Sequence, residues 1–312
     1  MKTAGFTVIT SSYLAHAFSA RESFLKHNPG SEFYIGVAGK HEDLPAADNK
    51  GIYFHTDIKD DRIDTMQQQY SALEMTCALK PFFALFLFES IPGLEHLIYI
   101  DADILVYGAF DVNNEASIVL SPHRINTIGF LPEPNPLSDL SLNRFGVFNA
   151  GYFEVRNDKE GQRFLTWWKG LMFNMGYTKP DEHLYADQIW LNCVPAFFDR
   201  VYINKHPGYN LAYWNLIERK LTDEKGKRCV NGEPLIFFHY SHYRFEDPER
   251  MTSFDSPFLS FQHFPELRPL YKEYEESVMQ HGYQQYKTIT YPFAPVADKK
   301  KKGLLGNLFG RK

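Results

Sequence analysis

Short apolar runs alternate with longer helical stretches along the first part of the chain. Three runs, GFTVITSSYL, EFYIGVAG and GIYFHTDI, have the length and the β-branched and aromatic content of buried strands. A helical stretch at about 15–26 follows the first run, and the longer TMQQQYSALEMTCALKPFFALFLFES follows the third. Strands that alternate with helices predict an α/β fold, with a mostly parallel central sheet flanked by helices.

Pro81 lies within the longest helical stretch. Because the residue before a proline is disfavoured in the helical conformation, we predict that Lys80 lies at a junction and that a second helix starts at Pro81. Downstream, the proline-rich and polar PEPNPLSDLSLN (132–143) is predicted to be a loop. FNAGYFEV and PLIFFHYSH are typical of strands, and HLYADQIWLNCVPAFF is expected to contain another helix.

Two carboxylates interrupt the apolar run HLIYIDADILVYG, which covers residues 96–108. In an extended strand Asp101 and Asp103, separated only by Ala102, would point the same way and repel each other, and buried unpaired charge is costly. Mg²⁺ and Mn²⁺ prefer oxygen ligands and keep positions for phosphates. Ligands of open α/β sheets bind at the carboxyl ends of strands. The pattern therefore favours a metal-bridged diphosphate, and the alternative is a polar bend with both acids solvated.

Composition limits the classes of function. The chain has 312 residues, of which 44% are hydrophobic and 23% charged, as in ordinary globular proteins. A net charge of −5 argues against general nucleic-acid binding. Cys77, Cys193 and Cys229 lie far apart and show neither a zinc spacing nor a disulfide framework. This usage fits a reducing compartment, so we expect a cytoplasmic protein.

The C-terminal segment 298–312 differs from the rest of the chain. It carries six basic residues and one acidic residue, so the remainder has a net charge of −10. On a helix, Leu304, Leu305, Leu308 and Phe309 would share one face, which is typical of segments that lie in the interface of an anionic membrane. Three glycines weaken such a helix, and a solvated tail is the alternative. The segment predicts peripheral attachment to the cytoplasmic face of a membrane.

Four segments in order carry a resemblance to a known family: YIDADILV, FNAGYFEV at 148–155, ADQIWLNC at 186–193 and FFHYSH at 237–242. Together they resemble the family 8 retaining glycosyltransferases, which include glycogenin and bacterial lipopolysaccharide galactosyl- and glucosyltransferases. The resemblance implies a GT-A fold, in which a Rossmann-like nucleotide half merges with an acceptor half. It also implies sugar transfer from a nucleoside diphosphate sugar, usually of uridine, to a saccharide or glycolipid acceptor with Mn²⁺ or Mg²⁺.

This resemblance also suggests a division of the chain. The catalytic domain would cover 1–250, with the nucleotide half at about 1–110 and the acceptor half at about 111–250. A helical extension would follow at 251–297, before the basic tail at 298–312.

Individual residues match the family's functional positions. Asp101 and Asp103 match its metal-binding acids, and His239 falls where it has a third ligand, with His242 as a second candidate. Asp187 and Gln188 match a pair near the anomeric carbon, where they would stabilise an oxocarbenium-like centre. Nucleotide-sugar contacts are implied for Thr10, Ser11, Ser12, Tyr13, Lys80, Asp101, Ala102, Asp103, Asn149, Ala150 and Gly151.

The run HYSHYRFEDPER departs from the family, which usually continues after its histidine with Gly and then Lys-Pro-Trp. The family lysine helps to neutralise the leaving diphosphate, and Arg244 is the residue expected to replace it, because guanidinium binds phosphate in bidentate fashion. This departure leaves open a non-catalytic nucleotide-sugar or carbohydrate-binding protein.

A phosphoaspartyl hydrolase of the haloacid dehalogenase type shares the Asp-x-Asp pattern, but there the motif opens the fold, whereas here strands and helices precede it.

Overall fold

The computed structural model describes residues 1–44, 50–129, 138–224, 226–254, 256 and 258–293. Its strands are β1 (Lys2–Thr10), β2 (Glu32–Ala38), β3 (Ile52–Phe54), β4 (Leu94–Ile100), β5 (Ile104–Val106), β6 (Ile118–Pro122), β7 (Phe148–Arg156), β8 (Thr178–Lys179), β9 (Leu184–Tyr185), β10 (Val201–Ile203), β11 (Leu221–Glu224), β12 (Lys227–Val230), β13 (Glu233–Pro234) and β14 (Phe237–His239). Its helices are α1 (Leu14–His27), α2 (Arg62–Gln69), α3 (Ala72–Ser90), α4 (Asp139–Phe145), α5 (Lys159–Met175), α6 (Val194–Phe197), α7 (Arg268–Gln280) and α8 (Tyr283–Tyr286).

Seven strands of the described residues form the central sheet, in the order β10-β6-β7-β4-β1-β2-β3. All neighbouring pairs are parallel except those of β7, which runs antiparallel to β4 and to β6. The predicted α/β class with a mostly parallel central sheet is confirmed. The reversal of β7 places its first residues at the edge where β1 and β4 end, since Ile100 pairs with Tyr152.

The core consists of two apolar clusters on opposite faces of the sheet. Phe33, Ile35 and Val37 of β2 pack in one cluster with α1 and α7, whereas Tyr34 and Ala38 pack in the other with α3 and α5. This division follows from the period of two in a strand, which sends successive side chains to opposite faces. Helix α7 thus completes a face of the core by burying four residues: Leu270, Tyr271, Tyr274 and Val278.

Helix α3 runs without interruption from Ala72 to Ser90, so the predicted division at Pro81 is wrong. A proline inside a helix costs about 3 kcal/mol, because it removes a hydrogen bond and its ring clashes with the preceding turn. Leu79 and Phe82, on either side of Pro81, are buried, as is most of the helix. Tertiary packing along the whole helix outweighs the local cost. Lys80 consequently lies in mid-helix and is 3% exposed, not at a solvated junction.

Two other predicted elements differ from the structure. The third strand is shorter than GIYFHTDI, since a 3₁₀ turn at His55–Asp57 follows Phe54 and the Asp57 carboxylate accepts from the Phe54 N–H at 2.7 Å. The predicted loop at 132–143 is wrong from Asp139 onward, where α4 begins. The last proline of that stretch is Pro136, and the leucines that follow favour a helix. The expected helix near 190 is present as a 3₁₀ segment, Ile189–Cys193, followed by α6.

The predicted membrane-binding tail at 298–312 lies outside the described residues. Among the helices that the structure does describe, none combines the length and the apolar character that crossing a bilayer requires.

Candidate functional site

Asp101 and Asp103 lie in the turn that joins β4 to β5. The Ile104 N–H donates to the Asp101 carbonyl at 3.2 Å, and the Asp101 N–H donates to the Gly151 carbonyl at 2.8 Å. The chain therefore leaves the sheet at the point where the two acids occur. Both carboxylates are partly exposed at the carboxyl edge of the sheet.

Strand β14 brings His239 to this turn. It pairs antiparallel with β5, so that His239 lies opposite Ile104, and the Tyr240 N–H donates to the Asp103 carbonyl at 2.8 Å. His239 Nε2 lies 3.0 Å from Asp103 Oδ1 and 3.9 Å from Asp101 Oδ2. One ligand atom from each of the three residues lies within 4.8 Å of the others. Two carboxylates and an imidazole at this spacing fit a divalent cation such as Mn²⁺ or Mg²⁺ and leave positions for oxygen atoms of a ligand.

Charge and burial act against each other in this group. Burial alone would lower the pKa of His239, but the carboxylates of Asp103 and Asp101 outweigh it and raise that pKa. Burial would raise the pKa of Asp103, whereas the neighbouring imidazoles, His239 foremost, bring it below its ordinary value. Two carboxylates against one imidazole leave the group with net negative charge, which a bound cation would neutralise.

Lys80 joins this group to Asp187. Its ammonium lies 2.8 Å from Asp187 Oδ2 and 3.3 Å from Asp101 Oδ1, and it donates to the Ala150 carbonyl at 3.0 Å. It also lies 4.5 Å from the centre of the Tyr99 ring, whose hydroxyl donates to Asp101 Oδ1 at 2.6 Å. Burial would lower the pKa of Lys80, but the two carboxylates raise it well above its ordinary value. The predicted donor-contacting lysine thus lies between the two acids.

Asp187 is itself 3% exposed, in the turn that follows β9. The Trp168 indole N–H donates to its carbonyl at 3.2 Å. Burial raises the pKa of its carboxyl, and Lys80 opposes that rise. A carboxylate held in the interior beside one ammonium is suited to stabilising positive charge that develops nearby.

Gln188 holds the first residues of β7, at 149–151. Its Oε1 accepts from Asn149 Nδ2 and from the Ala150 N–H, both at 3.1 Å, and its Nε2 donates to the Phe145 carbonyl at 2.9 Å. Both ends of the amide therefore have partners in the protein. In this structure Gln188 connects the first residues of β7 to the Phe145 carbonyl.

Gly151 leaves the room that the acid pair and the imidazole need. A Cβ at this position would lie 2.5 Å from His239 Cε1 and 2.7 Å from Asp101 Oδ2. Real Cβ atoms do not approach other atoms so closely, and the neighbours here are buried or hydrogen-bonded. The need for glycine is thus steric.

The residues that end β1 lie at the same edge of the sheet. Thr10 Oγ1 and Ser12 Oγ are 2.9 Å apart, and Ser11 Oγ donates to Asp43 Oδ2 at 2.6 Å. Tyr13 is 49% exposed, and its ring lies 4.7 Å from that of His16. Burial and then the negative charge of Asp103 raise the pKa of Tyr13.

The structure separates the two candidate imidazoles. His242 has a left-handed backbone (φ 61°), and its ring packs against Phe254 at 4.6 Å. Within the described residues, the group with metal-binding spacing contains His239 and not His242. Arg244 is exposed, and no contact of its guanidinium with Asp101 or Asp103 occurs in the part of the chain that is described.

Several residues of the site were not anticipated from the sequence. Asn210 Oδ1 lies 3.3 Å from His239 Nδ1, and the Trp214 ring lies perpendicular to the His239 ring at 5.1 Å. Tyr99 precedes Asp101 by two positions, so the period of a strand was a usable signal for it. Asn210 and Trp214 carry no such signal, because the loop containing them reaches the site only in the folded chain.

A cavity of about 600 Å³ lies elsewhere in the fold. It is bounded by α1, by β12 and by the end of β5 with the residues that follow it. Its lining includes Lys26, Tyr107, Arg228 and Glu273 and none of the predicted site residues. It is therefore separate from the acid and histidine group.

Comparisons with known proteins gave distant matches. No protein-family model matches the chain. The uncharacterized protein YfnF of Bacillus subtilis (strain 168) is 28% identical over 219 residues, which are 67% of this chain and 69% of that protein. The uncharacterized protein YfnD of the same strain is 25% identical over 206 residues, 60% of this chain and 63% of that protein.

Solved structures similar to this chain include the galactosyltransferase LgtC in complex with donor and acceptor sugar analogs. It has a TM-score of 0.48 and 16% identity, and the match covers 89% of this chain and 95% of that one. A glycosyltransferase involved in the glycosylation of the major capsid of PBCV-1 has a TM-score of 0.45 and 11% identity, with 79% and 97% covered. Since both scores are below 0.5, support for a function has to come from the geometry of the site.

Proposed function

We propose that this chain is a metal-dependent retaining glycosyltransferase with a GT-A fold, of the family 8 type. It would move a hexose from a nucleoside diphosphate sugar, UDP-hexose foremost, to a saccharide or lipid-linked saccharide. One observation carries the proposal: ligand atoms of Asp101, Asp103 and His239 converge within 4.8 Å at the carboxyl edge of the sheet. This is the edge at which α/β sheets bind ligands.

The three residues Asp101, Asp103 and His239 would hold Mn²⁺ or Mg²⁺. When bound, the cation would supply positive charge that neutralises the diphosphate of the donor. Tyr99 and Lys80 fix the Asp101 carboxylate, through contacts of 2.6 and 3.3 Å to Oδ1. The protein therefore orients this ligand before any donor arrives, which lowers the cost of ordering it during the reaction.

Asp187 is the residue proposed to act on the sugar. As the bond between the anomeric carbon and the diphosphate oxygen breaks, positive charge develops on the sugar, and a buried carboxylate stabilises it. Lys80, at 2.8 Å, favours the ionised form of Asp187. On a front-face route the acceptor oxygen bonds to the anomeric carbon, and its proton passes to the departing diphosphate. No separate protein base is then needed.

The first residues of β7, at 149–151, would bind the donor sugar. Gln188 fixes this segment through the Asn149 side chain and the Ala150 N–H. The absence of a side chain at Gly151 leaves room for Asp101 and His239 beside this segment. Retention, the uridine carrier, a cytoplasmic location and attachment of segment 298–312 to an anionic membrane belong to the same proposal and follow from the resemblance and the composition.

The test is a screen of nucleotide sugars by thermal shift, with Mn²⁺ or with a chelator, followed by assays of donor hydrolysis and transfer. A ligand that binds only the folded state raises the melting temperature. We expect a shift with one UDP-hexose that depends on Mn²⁺. Asp103→Asn should abolish this shift and reduce turnover by more than about 100-fold. This loss exceeds the 10- to 100-fold, to order of magnitude, that is typical when a residue hydrogen-bonded to a metal ligand is replaced, because Asp103 would be a ligand itself. Asp64→Asn, at an exposed position of α2, is the matched control.

Three other outcomes would count against a metal-dependent glycosyltransferase. Unchanged turnover in Asp103→Asn would remove the metal role. Donor binding without hydrolysis or transfer would support the binding-protein alternative. Arg244, the expected replacement for the family lysine, is exposed, so this alternative has to be tested. Release of phosphate from phosphate monoesters, with no affinity for uridine diphosphate, would support a phosphatase.

A further inference from the structure

The two nitrogens of His239 face different partners. Nε2 points to Asp103 Oδ1 at 3.0 Å, on the side of the acid group. Nδ1 lies 3.3 Å from Oδ1 of Asn210, a residue that is fully buried. Which nitrogen carries a proton depends on whether Asn210 presents its oxygen or its NH₂ group to the ring. The surrounding hydrogen bonds determine this orientation of the amide.

Backbone groups fix the amide of Gln188. Its Nε2 faces the Phe145 carbonyl at 2.9 Å, and a carbonyl only accepts. Its Oε1 faces the Ala150 N–H at 3.1 Å, and a backbone N–H only donates. The oxygen and the nitrogen of Gln188 therefore cannot be exchanged.

The amide of Asn149 is fixed in turn. Its Oδ1 accepts from the Gly151 N–H at 3.2 Å, and its Nδ2 donates to Gln188 Oε1 at 3.1 Å. The second proton of Nδ2 faces His123 Nε2 at 3.3 Å. His123 can accept there because its Nδ1 lies 3.1 Å from the Val147 carbonyl, to which it donates. Every contact of Asn149 agrees with one orientation.

This orientation determines that of Asn210. Asn210 Nδ2 donates to Asn149 Oδ1 at 3.2 Å, so Asn210 Oδ1 is left facing His239. Nδ1 of His239 must then be the donor of that pair. If the ring is neutral, the lone pair of Nε2 points at the Asp103 carboxylate, and two acceptors at 3.0 Å require a positive charge between them.

We infer that Asn210 is a positioning residue that holds His239 as the Nδ1–H tautomer, so that Nε2 is the nitrogen that binds the cation. The inference rests on the proposed function in one respect, namely that a divalent cation binds this group. It adds that the chain of side-chain amides from Gln188 through Asn149 to Asn210 connects the first residues of β7 to the metal ligand His239. A partner on the second nitrogen of a metal-bound histidine is worth 10- to 100-fold in metal affinity, to order of magnitude.

Mn²⁺ affinity is the first readout, measured on the intact chain by the electron paramagnetic resonance signal of free Mn²⁺. We expect Asn210→Gly, which tolerates the left-handed backbone at φ 56°, to weaken binding by about 10- to 100-fold. Asn210→Asp retains an oxygen facing Nδ1, but its second oxygen can donate to Asn149 Oδ1 only when protonated, so this variant should restore part of the affinity lost in Asn210→Gly. Asn231→Gly is the matched control, since Asn231 has φ 53° in an exposed turn and should bind Mn²⁺ normally.

The second readout is the ligating nitrogen itself, obtained by ¹⁵N nuclear magnetic resonance of the histidine side chains with diamagnetic Zn²⁺ bound. We expect His239 to be metal-bound at Nε2 and protonated at Nδ1. A metal bond at Nδ1, or normal Mn²⁺ affinity in Asn210→Gly, would overturn the inference. So would equal losses in a folded Asn210→Asp and in Asn210→Gly. Failure of the unaltered protein to bind Mn²⁺ at all would instead overturn the proposed function.

Discussion

Lys80 and Asp187 form an ion pair of 2.8 Å in which each side chain is only 4% exposed. Helix α3 carries the ammonium and the turn after β9 carries the carboxylate. The same ammonium lies 3.3 Å from Asp101. One buried cation therefore connects the proposed metal ligands to the residue proposed to act on the sugar.

Removal of this cation should destabilise the fold. We expect Lys80→Met to lower the free energy of unfolding by about 3–5 kcal/mol, because it leaves Asp187 charged and unpaired in the interior. Urea denaturation at pH 7 measures the change. Lys2→Met is the control, since Lys2 pairs with Glu32 on the surface and such pairs contribute about 0–1 kcal/mol. Equal effects of the two substitutions would show that the buried pair has no special role.

Asp187 should affect chemistry more than donor binding. Asp187→Asn keeps the volume of the side chain but removes the charge that would stabilise the developing positive centre. We expect transfer to slow by about 10²–10³-fold, with donor affinity close to normal. Titration calorimetry with the donor and single-turnover transfer assays separate the two quantities. Loss of donor affinity in a folded variant would mean that Asp187 binds the donor in its ground state.

Gly151 should not tolerate a methyl group. In Gly151→Ala the new Cβ would lie 2.5 Å from His239 Cε1, so the imidazole must move away from the acids. We expect Mn²⁺ binding and transfer to be lost together. Gly170→Ala is the matched control, because a Cβ there meets nothing within 4 Å, and the change inside α5 should stabilise by about 1 kcal/mol. Normal Mn²⁺ affinity in Gly151→Ala would contradict the proposed metal position.

His16 should make the protein sensitive to acid. Burial lowers its pKa to about 4, and its Nδ1 has no hydrogen-bond partner among the described residues. An unfolded chain binds a proton at this residue below about pH 6.5, whereas the folded chain does not until about pH 4. Stability is therefore lost as the pH falls through this interval.

His16→Phe keeps an aromatic ring against Phe245 and Tyr283 and removes the titration. Relative to the unaltered protein, we expect the variant to gain about 2 kcal/mol of unfolding free energy between pH 7.5 and pH 5. Urea denaturation at the two pH values gives this difference. If the difference in unfolding free energy between the two proteins is the same at both pH values, His16 is not the group responsible for the acid sensitivity.

Asp101 and Asp103 were identifiable because a pair of acids after an apolar strand is a local signal. The carboxyl ends of the strands in such a sheet are also where ligands bind. The position of residues 149–151 depended on one more fact, the antiparallel direction of β7, which brings the start of that strand to the same edge. The choice of His239 over His242 depended on the pairing of β14 with β5, which no local pattern reveals.

By itself, the sequence determined the alternation of strands and helices, the α/β class and the two acids at the end of β4, because all three depend on short-range periodicity. Only the tertiary structure decided that α3 continues through Pro81, that Lys80 is buried against Asp187, and that Asn210 faces His239. The physical reason is that burial and hydrogen bonding between distant segments outweigh local conformational preferences, and these contacts exist only once the chain has folded.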